Sequence, residues 1–310
     1  MTGNSDWHPR HDDPLFILAM DHRESFGRTL FDVKDDAPDS AQRAAMASAK
    51  QLIYQGLQQA LPDVTHGRIG VLVDERYGQA VIDAVKASGE PLVLAVPVEA
   101  SGHEWFTLEW GDQWLEHVET VRPHYSKVLI RDNPDFDPAQ REAQLGRLAQ
   151  VVAGLRGIGV PLLYELLVPA TSAQLAQAGQ DPAVYDRDIR PGLVTRVIAD
   201  NYAHGVGPAV WKVEGLETVE AARQVADQVK AGDPSADLIV LGRDAPADRL
   251  DHWLAVASQV DEFVGFAIGR SIWEDAVREY EASDRGESAA SAARDQVAER
   301  YLGFVAQWKP

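Results

Sequence analysis

The sequence predicts a single (β/α)8 barrel, and three features of the chain lead to this prediction. Eight apolar runs of strand length alternate with longer amphipathic stretches along the 310 residues. The apolar runs are nearly continuous, which is typical of parallel strands that are buried on both faces. No dinucleotide-binding glycine fingerprint follows the first run, and this favours a closed barrel over an open, doubly wound sheet. We expect residues 14–310 to form the barrel and residues 1–13 to form a flexible N-terminal arm.

Charged residues follow or interrupt most of the predicted strands. In chain order, these strands are Leu15–Met20, Ile69–Val73, Leu92–Val98, Lys127–Ile130, Pro161–Val168, Pro208–Gly215, Leu238–Leu241 and Phe263–Ile268. The stretches between them carry helix signals; the one over 138–157, for example, begins with proline and ends with glycine. In a (β/α)8 barrel the catalytic groups lie at the carboxyl ends of the strands. The pattern therefore predicts that these charged side chains meet at one mouth of the barrel.

The composition excludes several classes of protein. The chain has no cysteine, which excludes disulfide bonds, thiol catalysis and cysteine zinc sites, and is typical of a cytoplasmic enzyme. The net charge of -19 repels nucleic-acid phosphates and anionic lipid, so neither a nucleic acid nor a membrane is an expected partner. No apolar run has the length of a membrane span, and the polar N-terminus lacks the apolar core of a secretory signal.

Metal-binding motifs are also missing from the sequence. The nine histidines are scattered, and no His-x-x-x-His or Glu-x-x-His set falls on one predicted helix. We therefore expect no metal and no cofactor, so zinc-dependent aldol chemistry is not supported. The sequence leaves the oligomeric state open, with a homo-oligomer as one alternative.

The predicted site centres on Lys212, within the stretch Pro208-Ala-Val-Trp-Lys-Val-Glu-Gly215. Burial disfavours a charged ammonium, and a neutral amine can attack a carbonyl carbon to form a Schiff base. Glu214 lies two residues further on, hence on the same face of the strand. It is expected either to contact substrate hydroxyls or to brace the lysine. Considered alone, a Lys-x-Glu pair is more often structural, and it is the rest of the chain that favours catalysis.

Two carboxylates are candidates for proton transfer. Glu165 lies inside the fifth predicted strand, where a carboxylate is costly unless it is paired, and Lys212 in the next strand is the expected partner. Asp21 ends the first strand, where it can stabilise the charge of the lysine and pass protons. The alternatives are a structural ion pair for Glu165 and a helix cap for Asp21. Lys127 begins the fourth predicted strand, which is the wrong end of a barrel strand for catalysis.

The last two predicted strands each end in a Gly-Arg pair. Barrels commonly bind phosphate here, with glycine backbone N–H groups and the N-terminus of a short helix, and arginine adds a bidentate contact. The predicted phosphate-binding residues are Gly242, Arg243, Gly269, Arg270 and Ser271. Further candidate substrate contacts at strand ends are His22, Asp74, Glu99, Arg131 and Glu214.

Six motifs together resemble a known group of enzymes. They are Ala19-Met-Asp-His-Arg23, Val73-Asp-Glu-Arg-Tyr-Gly78, Val98-Glu-Ala-Ser-Gly102, Glu165, Lys212-Val-Glu214 and Ile268-Gly-Arg-Ser-Ile-Trp273. In this order they resemble the Schiff-base (class I) aldolases of the tagatose-bisphosphate and sulfofructose-phosphate aldolase group. The resemblance is closer still to the aldolase half of the bifunctional inositol-catabolism protein, which joins a sugar kinase to a deoxy-keto-gluconate phosphate aldolase. It extends from about Leu15 to Trp273.

The resemblance implies roles for four residues. Lys212 would be the Schiff-base lysine, Asp21 a catalytic carboxylate, Glu165 the acid/base and Arg270 part of the phosphate site. The chain departs from the tagatose-type enzymes in the substrate site, because His22 and Glu24 replace their usual glutamine and glycine. A second departure is the end of the seventh strand, where Gly-Arg-Asp-Ala-Pro replaces a run of small residues.

The function expected from these observations is that of an aldehyde-lyase acting on a phosphorylated keto sugar or keto sugar acid. The favoured substrate is 5-dehydro-2-deoxygluconate 6-phosphate, which would yield dihydroxyacetone phosphate and malonate semialdehyde. The alternatives are cleavage of sulfofructose phosphate or of tagatose or fructose bisphosphate, and transaldolase chemistry on the same imine. An alternative of another class is a non-catalytic barrel that binds a sugar phosphate.

Overall fold

The computed structural model describes residues 8–35, 37–243 and 245–308, which form the closed barrel that the sequence predicts. The eight strands follow one another in chain order around the barrel, every neighbouring pair is parallel, and β8 closes on β1. The strands are β1 Leu15–Ala19, β2 Arg68–Leu72, β3 Val93–Pro97, β4 Tyr125–Arg131, β5 Leu162–Leu167, β6 Val210–Glu214, β7 Asp237–Leu241 and β8 Phe263–Ile268.

Helices surround the barrel. They are α1 Glu24–Leu30, α2 Ser40–Ala60, α3 Glu75–Ala87, α4 Trp114–Val121, α5 Pro138–Ile158, α6 Ser172–Gln177, α7 Pro182–Val184, α8 Arg190–Ala203, α9 Val219–Gly232, α10 Ala247–Ala257, α11 Arg270–Ala282 and α12 Glu287–Gln307. A single π-helical turn, Tyr185–Ile189, joins α7 to α8. Within the described residues, no helix is long and apolar enough to cross a membrane.

Of the expected N-terminal arm, residues 1–7 lie outside the described residues. In the remainder, Arg10 and Asp13 exchange backbone hydrogen bonds, and the ring of His11 lies 6.4 Å from that of Trp308.

The apolar side chains form two layers. The strand residues that point outwards pack against the helices in one large cluster. Those that point inwards fill the barrel interior towards the amino ends of the strands, among them Ile17, Tyr125, Leu163 and Val210. Successive strand residues point to opposite faces, so the residue two positions after an inward apolar side chain also points inwards.

This alternation places charged side chains above the apolar filling. Each charged residue lies two positions after an inward-pointing apolar residue: Asp21 after Ala19, Lys127 after Tyr125, Glu165 after Leu163 and Lys212 after Val210. The interior of the barrel therefore changes from apolar to charged along the strand direction, and the charged end is the carboxyl end of the strands.

Candidate active site

A cavity of about 670 Å³ opens at the carboxyl ends of the strands. The three residues expected to be catalytic, Lys212, Glu165 and Asp21, all line it. Eight of the ten expected substrate contacts line it with them: Gly242, Arg243, Gly269, Arg270, Ser271, His22, Arg131 and Glu99. The other two, Asp74 and Glu214, lie outside this wall.

Lys127 lies at the centre of the charged cluster on the cavity floor. Its ammonium donates to Oδ2 of Asp21 and to Oε1 of Glu99, each at 2.8 Å, and forms an ion pair at 3.0 Å with Oε2 of Glu165. The side chain is 1% exposed. Three buried carboxylates from three strand ends therefore share one ammonium.

The sequence-based interpretation of Lys127 was wrong. It placed Lys127 at the start of the fourth strand, but β4 begins at Tyr125 and Lys127 is its third residue. A signal for the correct placement was present, because Lys127, Leu129 and Arg131 share one face of the strand and all line the cavity. A lysine on the same face as an anion-binding arginine is expected in the barrel interior.

Lys212 lies beside Lys127 and shares one of its partners. Its Nζ atom is 3.0 Å from Oε2 of Glu165, the same oxygen that Lys127 contacts. Among the described residues, Glu165 is the sole ion-pair partner of Lys212. The expected Lys212–Glu165 pair is thus present, with β5 and β6 in register at these two residues.

The electrostatics of the cluster follow from burial and from the two lysines. Burial, the largest single effect, would raise the pKa of Asp21, but the neighbouring groups, led by the ammonium of Lys127, together outweigh it, and the pKa of Asp21 falls well below its usual range. The same balance lowers the pKa of Glu165. At Glu99, burial outweighs Lys127 and Arg23, so the pKa of its carboxyl is raised. The carboxylates in turn raise the pKa of Lys127 against the effect of burial, so it remains a cation.

His22 lies at the edge of this cluster as a neutral imidazole. Burial lowers its pKa to about 3, and the positive charges of Arg270 and Lys212 act in the same direction, against the carboxylate of Asp21. The ring packs edge-on against Trp273, with 5.4 Å between the ring centres. A neutral imidazole can donate or accept one hydrogen bond per nitrogen without adding charge to the site.

The end of β8 is where the sequence predicts an anion site. Gly269 caps α11, whose first turn contains no acidic residue and begins with Arg270 and Ser271. A Cβ atom on Gly269 would lie 2.6 Å from the carbonyl oxygen of Ala19, so the close approach of β8 to β1 requires glycine. Backbone N–H groups of this first turn and the guanidinium of Arg270 can together bind a phosphate.

Arg243 occupies a different position from the one expected of a phosphate ligand. Its guanidinium donates to Asp186 at 2.9 Å and to Glu214 at 2.8 Å, and the residue adopts a positive φ of 46°. Arg243 lines the cavity, but its guanidinium is held by Asp186 and Glu214, carboxylates that it shares with Arg190 and, at Asp186, with Arg249. These contacts brace the end of β7, and Arg270 is the second arginine that the sequence predicts for the phosphate site.

Glu214 braces neighbouring loops and not Lys212. One of its oxygens accepts from Arg243 and the other accepts from the backbone N–H of Val168 at 2.9 Å, with Arg190 at 3.7 Å. Of the two roles that the sequence left open for Glu214, substrate contact and support of the lysine, the geometry fits neither.

Asp74, expected as a substrate contact, also lies outside the cavity wall, and its partners are structural. Its carboxylate caps the N-terminus of α3 through the backbone N–H of Tyr77 and forms an ion pair with the fully buried Lys50. Lys50 also donates to the carbonyl oxygens of Met20 at 2.7 Å and of His22 at 3.0 Å. Because these two residues flank Asp21, the Lys50–Asp74 pair holds the backbone from which the Asp21 carboxylate extends.

Nearly the whole length of the chain matches one described protein family. Residues 5–310 match the family described as uncharacterized proteins conserved in bacteria, DUF2090. The chain belongs to the DUF2090 family. No curated protein sequence matches this family member.

The barrel of this DUF2090 protein is similar to several solved structures. Cgl0159 from Corynebacterium glutamicum is 16% identical with a TM-score of 0.54, covering 92% of this chain and 85% of its own. The YdjI aldolase from Escherichia coli K12 is 12% identical with a TM-score of 0.53, covering 96% and 92%. The fructose-bisphosphate aldolase from Plasmodium falciparum is 11% identical with a TM-score of 0.61, covering 95% and 91%. At identities this low, the similarity shows a shared fold.

Proposed function

We propose that this protein is a class I aldolase, an aldehyde-lyase that cleaves a phosphorylated keto sugar acid through a Schiff base on Lys212. The observation that supports this most directly is the pair of lysines, Lys127 and Lys212, on either side of one Glu165 oxygen at the floor of the cavity. Two proteins with a similar barrel, from Escherichia coli and Plasmodium falciparum, are named as aldolases, which is consistent with the proposal.

The two lysines have different numbers of partners, and this difference supports separate roles for them. Lys127 is bound by three carboxylates, so its lone pair stays protonated and it acts as a fixed positive charge. Lys212 has one ion-pair partner among the described residues and can give up its proton to that partner, Glu165. The resulting neutral amine attacks the keto carbon.

Formation of the iminium requires protons to move in both directions. The proton that Glu165 takes from Lys212 passes to the carbonyl oxygen as the amine attacks, which gives a carbinolamine. Glu165 then accepts a second proton from the nitrogen and donates it to the carbinolamine hydroxyl, which leaves as water. Asp21, kept ionised by Lys127, stabilises the positive iminium nitrogen that results. Glu165 therefore transfers the protons and Asp21 balances the positive charge at the Lys212 nitrogen. Neither carboxylate forms a covalent bond to this nitrogen.

The iminium then withdraws electrons from the bond that breaks. In 5-dehydro-2-deoxygluconate 6-phosphate the keto carbon is C5, and the C3 hydroxyl loses its proton to a carboxylate of the cluster. The C3–C4 bond breaks, its electrons form an enamine, and malonate semialdehyde leaves. Protonation of the enamine at carbon and hydrolysis of the iminium release dihydroxyacetone phosphate and restore Lys212.

The phosphate of this substrate would bind at the end of β8, through Arg270 and the backbone N–H groups of Gly269 and Ser271. Sulfofructose phosphate, tagatose bisphosphate and fructose bisphosphate are the runner-up substrates, because each also presents a keto group and an anion. Transaldolase chemistry would use the same imine. A non-catalytic sugar-phosphate-binding barrel would require the β8 site but neither lysine.

Borohydride trapping tests the proposal. The protein is mixed with dihydroxyacetone phosphate, reduced with sodium borohydride and digested, and the adduct is located by mass spectrometry. The expected result is one adduct, on Lys212. Lys86→Met, which removes an exposed lysine of α3, is the matched control and should retain the adduct, whereas Lys212→Met should lose it. An adduct on another lysine, or none in the unaltered protein, would contradict the proposal.

A further inference from the structure

The cavity offers positive charge on two opposite sides. The closed order of eight strands places β4 diametrically across the barrel from β8. Arg270 follows β8, and Arg131 ends β4; both line the cavity. Lys212 and Lys127 lie on the floor between these two sides, so a substrate held at Lys212 can extend towards both.

Arg131 differs from three other arginines that line the cavity. Arg23 donates to Glu99 and Glu109, Arg28 is paired with Glu24, and Arg243 is held by two carboxylates as described above. The side chain of Arg131 is exposed at the mouth and makes no ion pair or side-chain hydrogen bond with a described residue. It is therefore the arginine with an unbalanced charge on the β4 side.

The position of Arg131 matches the reach of a six-carbon substrate. Lys212 pairs in register with Glu165, and Glu165 pairs with Leu129, so Arg131 lies two residues beyond the level of Lys212, a rise of about 7 Å along the strand. A guanidinium that extends back from this height reaches a group several bonds away from a carbon bound at Lys212. The distal end of an extended sugar acid lies in this range.

The wall beside Arg131 contains apolar side chains and is joined to a neighbouring loop by hydrogen bonds. The buried amide of Gln144 donates to the carbonyl oxygen of Arg131 at 3.3 Å and accepts from the backbone N–H of Phe106 at 3.0 Å. It thereby joins the end of β4 to the loop after β3. Leu129, Leu167 and Phe106 line the cavity beside it.

We propose that Arg131 binds the carboxylate of the aldehyde half of the substrate and makes the enzyme selective for an acidic aldehyde. This inference rests on the proposed aldolase function. One guanidinium with apolar neighbours matches a carboxylate, which carries one charge and accepts two parallel hydrogen bonds. A phosphate dianion requires more donors, such as those that the N-terminus of α11 supplies beside Arg270.

The test compares acceptor aldehydes in the direction of synthesis. Dihydroxyacetone phosphate is condensed with malonate semialdehyde, with glyceraldehyde 3-phosphate or with the neutral aldehyde propanal, and kcat/KM is measured for each aldehyde. The proteins are the unaltered chain, Arg131→Met and the matched control Arg28→Met, which removes an exposed rim arginine that is paired with Glu24. Borohydride trapping with dihydroxyacetone phosphate is run on all three.

The expected result is a change in the ratio of the kcat/KM values for malonate semialdehyde and propanal. In Arg131→Met, kcat/KM for malonate semialdehyde should fall about 10- to 100-fold relative to that for propanal, while Arg28→Met keeps the ratio of the unaltered protein. An unchanged ratio in Arg131→Met, with the borohydride adduct intact, overturns this inference and leaves the aldolase proposal standing. A fall in kcat/KM relative to propanal for glyceraldehyde 3-phosphate, but not for malonate semialdehyde, also overturns this inference. No adduct in the unaltered protein overturns the aldolase proposal and this inference together.

Discussion

The ammonium groups of Lys127 and Lys212 both lie 3.0 Å from a single atom, Oε2 of Glu165. One carboxylate oxygen thus joins a lysine with three carboxylate partners to a lysine with one. The first ammonium is needed to hold negative charges together, and the second can lose its proton without leaving Glu165 unpaired. This asymmetry leads to different expectations for the two lysines.

Replacing Lys127 with methionine should destabilise the fold more than replacing Lys212. Lys127→Met leaves three buried carboxylates without their shared cation, so the free energy of unfolding should fall by about 3–5 kcal/mol. In Lys212→Met, Glu165 keeps Lys127 as a partner, so the loss should be smaller. Both variants should have no aldolase turnover. Urea denaturation at pH 7 measures the difference; a Lys212→Met protein as unstable as Lys127→Met would contradict the assignment of roles.

The pH dependence of stability should reflect Asp21. Its pKa in the folded protein lies below the ordinary value of 3.8, because the neighbouring groups, led by the Lys127 ammonium, together outweigh the effect of burial. A carboxyl with a lowered folded pKa contributes stability above its unfolded pKa and loses this contribution as the pH falls. Asp21→Asn should therefore be less stable than the unaltered protein at pH 7, and the difference should shrink below about pH 4. Denaturant titrations across this range measure it, and a constant difference would contradict the ion pair.

The Lys50–Asp74 pair should support activity from outside the cavity. Asp74→Ala removes the partner of a fully buried ammonium and the cap of α3, so we expect a loss of about 3–5 kcal/mol in the free energy of unfolding. The double variant Lys50→Met with Asp74→Leu removes both charges and should regain part of this stability. It should still show reduced kcat with little change in KM, because Asp21 loses the hydrogen bonds that hold its flanking carbonyl groups. Normal kcat in the double variant would mean that the pair is structural alone.

The two Gly-Arg ends should differ in their effect on phosphate binding. Arg270→Met should raise the dihydroxyacetone phosphate concentration for half-maximal adduct formation by about 10- to 100-fold, as expected for the loss of a charge-assisted hydrogen bond. Arg243→Met should raise it much less, because Asp186 and Glu214 already hold this arginine. Adduct yield against ligand concentration measures both. Equal effects would restore Arg243 as a phosphate ligand.

The sequence predicts those site residues that can be recognised from their position in or directly after a strand. Lys212, Glu165 and Asp21 were identified because charged residues in or directly after buried strands lie at one mouth of a barrel, and the structure places all three in one cavity. Lys127 was missed because the start of β4 was read two residues late, which moved the lysine to the wrong end of the strand. Element ends are the least certain part of such a prediction, because local propensity changes little over one or two residues.

The sequence by itself determined the fold, since the alternation of strands and helices admits few parallel arrangements and apolar strands must be buried on both faces. It also determined which residues reach the mouth of the barrel. The tertiary structure alone decided how these charges pair: Asp74 with Lys50, Arg243 with Asp186 and Glu214, and Arg131 with none of the described residues. Pairing depends on distances of a few ångströms between residues that are far apart in the chain. Amino-acid composition and the spacing of residues along the chain do not determine those distances.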